Sequence, residues 1–154
     1  MNRTLTIADT AWQAMQLACT RARPREIGGI LLGHYTETGV YVTEAHMVPD
    51  PRATRIRYRR DAVAADRILR LRIGADDSGI LGYLGEWHSH PLPIGPSATD
   101  IRASGRLAHA GGHDVVLLVV AMGAGGWNGH ARNFDSAGNV TELKIDVEVI
   151  GDEG

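Results

Sequence analysis

Cysteine occurs once in this chain of 154 residues, at Cys19. No intrachain disulfide can form, and no zinc site built on cysteine pairs is available. Cys19 falls on the apolar side of the helix-like stretch "AWQAMQLACTRA", which suits a small core residue rather than a catalytic thiol. Lysine also occurs once, at Lys144, so arginine carries almost all the positive charge. Genomic codon bias accounts for this, although a chain with few lysines also offers few targets to lysine-directed modification. Excess charge of either sign is missing: the formal net charge is −2 and the pI about 6.4. Nothing in that balance draws the chain to nucleic acid or to an acidic membrane. No run of about 18 apolar residues is present, so no transmembrane helix is expected. The first residues, "MNRTLTIADTAWQ", lack the apolar core of a signal peptide, and "IGDEG" carries no anchor signal. The expected location is cytoplasmic. Internal repeats and low-complexity linkers are absent too. The length fits one domain over 1–154, and the 44% hydrophobic content fits one core.

The pattern that is present alternates strands with helices. "LTIA" (5–8) reads as a short strand, with Asp9 as the N-cap of a helix that runs to Ala22 and stops at Pro24. "IGGILLGHYT" (27–36) and "VYVTEAHMV" (40–48) form a hairpin across Thr38-Gly39, and the glycines of the first strand permit close approach of another backbone or a ligand. "TRIRYRRD" (54–61) alternates and reads as a further strand, with Arg55, Arg57 and Arg59 on one side and Ile56 and Tyr58 on the other. A helix follows from Asp61, with Val63, Ile68, Leu69 and Ile73 spaced for one buried face. A central strand (78–90), a helix (97–111), the buried strand "DVVLLVVAM" (114–122) and two last strands around the Ser136–Asn139 turn complete the order. The fold class is mixed α/β (α+β), a mixed and largely antiparallel sheet flanked by helices.

Chemistry concentrates in "GEWHSHPLPIGPSATD" (85–100). In an extended strand His88 and His90 point to one face, because side chains alternate with period two. Asp100 then falls in the first turn of the next helix. Two imidazoles and one carboxylate make a catalytic zinc shell, with the fourth position left for water. Ser97-Ala98-Thr99-Asp100 also matches a capping box, which accounts for Ser97 and Asp100 without a metal. It does not account for two histidines on one face, and the two roles are compatible. A hydrolase needs a proton shuttle beside the water. Glu86 shares the histidines' parity, and Glu26 precedes the glycine-rich strand; spacing alone leaves both open.

"EIGGILLG" (26–33), "HSHP" (88–91) and "PSATD" (96–100) together resemble the JAMM motif of the JAB/MPN metalloprotease family, in a prokaryotic-type member. The resemblance runs nearly the whole chain and implies a JAB/MPN-like (cytidine-deaminase-like) single domain. It implies one Zn2+ per chain held by His88, His90 and Asp100, with Glu26 as general acid/base and Ser97 as the hydrogen-bond donor to the tetrahedral oxyanion. Trp87 and Ser89 are assigned to packing and loop support, and Pro91 to the strand exit. The loop between His90 and Ser97 departs from the family pattern. It has six residues, Pro91 to Pro96, where seven are usual, and three of the six are proline.

The resemblance further implies an isopeptidase or endopeptidase that cuts after the C-terminal tail of a ubiquitin-like or sulfur-carrier protein, with that tail lying as an added strand beside the sheet. The alternative is a non-catalytic MPN-type scaffold for protein assembly, a type that typically lacks parts of the ligand set. A nucleobase deaminase needs a Pro-Cys-x-x-Cys that one cysteine cannot supply. His34, His46, His109, His113 and His130 repeat no ligand spacing and read as structural or surface residues. The arginines at 55, 57 and 59 are either a charged edge that discourages aggregation or a surface for an acidic patch on a substrate or partner. No nucleic-acid or membrane partner is expected.

Overall fold

Residues 3–150 are described by a computed structural model. They run β1 (Thr4–Ala8), α1 (Asp9–Ala22), β2 (Gly28–Thr36), β3 (Gly39–Met47), α2 (Ala62–Ala75), β4 (Gly82–His90), α3 (Ala98–Gly111), β5 (Val115–Gly123), β6 (Gly126–Phe134) and β7 (Val140–Glu148). The strands form one mixed sheet in the order β1-β3-β2-β4-β5-β6-β7, closed into a barrel by a parallel β1–β7 pairing. β1–β3 and β4–β5 are also parallel, and the other neighbours are antiparallel.

Closure gives the sheet an inside. Ala11, Met15, Ala18 and Cys19 of α1 pack with Leu5, Leu31, Val42, Trp87, Leu118, Ala131 and Leu143, so residues from all seven strands share one apolar cluster with this helix. The other two helices lie on the outer surface: α3 covers Val115, Leu117 and Val119, and α2 covers Ile30, Leu32 and Val48. β4 needs both of its faces. A bulge, where Leu31 pairs with Gly85 but Leu32 with Tyr83, resets its parity. Beyond it, Trp87 and Ser89 are buried, while Glu86 and His88 remain partly accessible.

Three expectations are corrected. Residues 54–61 are not a strand. Their backbone groups are taken within a loop, with Asp50 accepting from the N–H of Arg52 and of Arg59 at 2.9 Å each and Arg57 O accepting from Thr54 N–H. On α2 the apolar spacing misassigns the buried face: Ala65, Ile68 and Leu69 pack inward, whereas Val63 is 72% and Ile73 41% exposed. Asp9 is the first residue of α1 rather than its cap, and its charge there complements the helix dipole.

Candidate metal centre

Three elements end at one point. β4 delivers His88 and His90 at its C-terminal end, α3 delivers Asp100 in its first turn, and the segment leading into β2 delivers Glu26. Antiparallel pairing of β2 with β4 sets Gly28 opposite His88. A Cβ at Gly28 would press on the Trp87 carbonyl, the Tyr58 ring and the Cβ of His88, so glycine is what lets these groups close on the site.

The Nε2 atoms of His88 and His90 are 3.2 Å apart, and Asp100 Oδ2 lies 3.3 Å from the first and 3.4 Å from the second. A tetrahedral zinc with bonds of about 2.0–2.1 Å holds its ligand atoms about 3.3 Å apart. The triangle is therefore the size of one face of such a shell. Among the described residues, this is the group of three whose donor atoms converge as a metal site requires.

The proton positions fit the same reading. His90 Nδ1 is 3.0 Å from the carbonyl of Ile94. A carbonyl only accepts, so Nδ1 carries the hydrogen and the neutral ring turns its Nε2 lone pair to the centre. The tight loop makes this possible: Ile94 N–H donates to Leu92 O at 2.8 Å, and that turn presents the Ile94 carbonyl to the ring. On the other side the Tyr58 ring stacks on His88 at 6.4 Å, held by its hydroxyl donating to Val48 O at 2.6 Å.

Asp100 serves in two places at once. Its Oδ2 accepts from Ser97 N–H at 2.8 Å while Ser97 Oγ accepts from Asp100 N–H at 3.1 Å, which is the capping box. Burial works against its ionisation. The imidazoles of His88 and His90 and the Ser97 N–H outweigh that and hold the carboxyl far below the usual range. Burial likewise disfavours a charged His90, but Asp100, the Ile94 carbonyl and Glu26 raise its pKa on balance. Ser97 is exposed, and its own hydrogen remains free to donate.

Glu26 is 7% exposed, with Oε1 3.7 Å from His90 Nε2. Burial lifts its carboxyl to about 7, against the pull of His90 and with the push of Asp100. Glu86, the other candidate, points to a different place. Its Oε1 accepts from Arg60 Nε at 2.7 Å, and burial raises it to about 7 despite Arg60 and Tyr83. Ser89 ties the Glu26 segment to β4 twice: Ser89 N–H donates to Ile27 O at 2.7 Å, and Ser89 Oγ accepts from Ile27 N–H at 2.9 Å.

Sequence reasoning missed Tyr58 and the Ile94 carbonyl. Tyr58 carries no spacing signal, and a backbone carbonyl carries none at all. Four of the remaining histidines are engaged elsewhere: His34 stacks on Tyr41, His46 bonds Glu44, and His109 and His113 face backbone carbonyls; the His130 ring lies beside Gly95 of the loop before α3.

The profile of the prokaryotic homologs of the JAB domain matches residues 9–134, a stretch that contains Glu26, His88, His90, Ser97 and Asp100. The chain belongs to the prokaryotic JAB-domain family. One relative from that direction is the CD-NTase/cGAS isopeptidase of Enterobacter hormaechei subsp. hoffmannii (strain UCI 50), 34% identical over 110 residues, or 68% of this chain and 58% of the relative. The match thus spans little more than half of that protein's length. The solution structure of protein DSY2949 from Desulfitobacterium hafniense has the same fold, with a TM-score of 0.71 over 97% of this chain and 96% of that one at 17% identity. No described helix of this JAB-family chain is long and apolar enough to cross a membrane.

Proposed function

We propose that the chain is a zinc-dependent isopeptidase or endopeptidase, a single JAB/MPN-like metalloprotease domain over 1–154, that cleaves after the C-terminal tail of a ubiquitin-like or sulfur-carrier protein. The observation that carries the reading is the triangle of His88 Nε2, His90 Nε2 and Asp100 Oδ2, with edges of 3.2–3.4 Å, beside a buried glutamate. Family membership and the relative's name support the isopeptidase class. That name also supports a second substrate reading, a conjugate of a CD-NTase/cGAS-type protein.

These three residues would hold a zinc ion, which would supply Lewis acidity at the scissile carbonyl and lower the pKa of water toward about 7. Glu26 takes the proton from the attacking water as the new carbon–oxygen bond forms. It gives that proton to the leaving nitrogen as the carbon–nitrogen bond breaks. A carboxyl raised to about 7 suits both duties at neutral pH. The Ser97 hydroxyl donates to the oxyanion, with its rotamer fixed by the Asp100 N–H that it accepts.

The test is elemental analysis joined to cleavage of a panel of ubiquitin-like fusions. Near one zinc per chain is expected in the wild type, and a sharp loss in Asp100→Ala after identical purification. Glu26→Gln should keep the zinc and lose cleavage by about 100-fold or more. Full activity in Glu26→Gln would remove its assigned role. No metal in the wild type even after zinc is supplied would leave the scaffold reading in front.

A further inference from the structure

The metal centre opens into a groove whose walls the catalytic reading does not use. Its inner part, about 590 Å³, joins Glu26, His90 and Asp100 to Arg55, Ile56, Arg57, Pro91 and Leu92. Its outer part, about 660 Å³, shares Arg55, Ile56, Pro91 and Leu92 and runs on to Arg23 and Pro24. The floor is apolar: Ile56 is 82% exposed, and Leu92 and Ile94 are each 53% exposed. The rim is cationic. Arg23, Arg55 and Arg57 are exposed, and among the described residues no carboxylate lies within ion-pairing distance of any of them.

The loop that carries this rim is built to hold it outward. Asp50 closes residues 50–59 through the Arg52 and Arg59 N–H groups, and Ile56 N–H donates to Thr54 Oγ1 at 3.3 Å. Thr54 O accepts from Glu26 N–H at 2.8 Å, which fixes the loop to the catalytic segment itself. Three unpaired guanidinium groups around exposed aliphatic side chains, on an ordered loop, form a recognition surface awaiting its complement. The carboxylates in the groove do not cancel it, because Glu26 is buried and Asp100 is turned to the histidines.

We propose that this groove binds an acidic stretch of the substrate polypeptide next to the scissile bond, with one aliphatic side chain on Ile56 and Leu92 and carboxylates on Arg23, Arg55 and Arg57. This rests on the reading of the chain as a protease and narrows its substrate class. A basic tail would be repelled from the same rim.

The experiment is direct binding, which needs no turnover. Fluorescein-labelled Gly-Glu-Asp-Leu-Glu-Gly is titrated by anisotropy against the full zinc-supplied chain, beside Gly-Gln-Asn-Leu-Gln-Gly and Gly-Lys-Arg-Leu-Lys-Gly. The acidic peptide should bind at least tenfold more tightly than the neutral one and weaken with salt, and the basic peptide should bind weakest. Arg55→Glu with Arg57→Glu should weaken the acidic peptide by tenfold or more, and Ile56→Ser should weaken all three peptides. Unchanged thermal midpoints show that these exposed substitutions leave the fold intact. Equal binding of the acidic and neutral peptides, or full binding by the charge-reversed variant, overturns the proposal. Its failure is separable from that of the protease reading. A chain without zinc or cleavage that still selects the acidic peptide refutes only the latter, and a chain that cleaves fusions without charge preference refutes only the former.

Discussion

Ser89 sits between the two histidines and touches neither the reacting atoms nor the metal position. It is a positioning residue: its N–H and Oγ are the two clips that fix Ile27, and with it Glu26. In Ser89→Ala the Ile27 N–H loses its partner, at a cost of about 1–3 kcal/mol. The expected result is a lower thermal midpoint and reduced cleavage at unchanged zinc content. Lost zinc together with lost cleavage would mean that Ser89 supports the histidines instead. Cys19 lies on the far side of Ser89, and burial pushes its thiol up to about 12. A raised acid pKa suppresses the thiolate, which is the species that alkylates. Iodoacetamide at mildly alkaline pH should therefore leave the folded chain unlabelled and label it fully in denaturant. Rapid labelling of the native protein would contradict the burial of Cys19. Much of the centre was legible at this scale, because His88, His90 and Asp100 obey local rules of strand alternation and helix capping. The choice between Glu26 and Glu86 was legible only through the family resemblance, not from spacing. It depends on β2 lying antiparallel to β4 with Gly28 at His88, a register that neither segment announces by itself.

Among the elements, the two loops over the site carry the most information. The proline-rich loop between β4 and α3 is one residue shorter than the family pattern, yet it puts the Ile94 carbonyl on His90 Nδ1. Inserting one glycine between Pro93 and Ile94 restores the usual length and displaces that carbonyl. Losing such a partner typically costs about 10–100-fold in metal affinity. Competition with a zinc chelator should show a fall of that size, and unchanged affinity would show that the carbonyl does not tune the ring. The arginine loop at 54–59 misleads the reader of the sequence for a physical reason. Its alternation is that of a strand, but a strand needs a partner ladder. Here Asp50 and Thr54 supply the backbone partners instead. α2 misleads in a similar way: its apolar residues are spread around the helix, and the sheet takes only the face of Ala65, Ile68 and Leu69. The strands and helices of the core were legible to within a few residues, since their periodicity is enforced by burial on known faces.

Over the whole molecule, the helix order and mixed sheet follow from the sequence pattern, and closure does not. β1 is short, and both β1 and β7 look like ordinary edges; only their mutual register, Thr4 with Lys144 through Ala8 with Glu148, seals the ladder. Ending the chain after Asn139 would remove β7 and leave β1 and β6 each short of a neighbour. Such a truncation should lose its cooperative thermal transition and bind hydrophobic dye. A cooperative transition with retained zinc would show that closure is dispensable. The seal also sets an order of events in the making of the protein. Lys144 N–H reaches Arg3 O at 3.1 Å, across nearly the full length of the chain. On a ribosome working from the N-terminus, β1 emerges well before β7 and must wait for it before its second side is covered. Until β7 emerges, α1 lies against an unfinished wall, and its apolar face is open to chaperones or to other nascent chains. The residues of the candidate metal centre, Glu26 to Asp100, all precede β7 in the chain, so they leave the ribosome before the strand that closes the sheet.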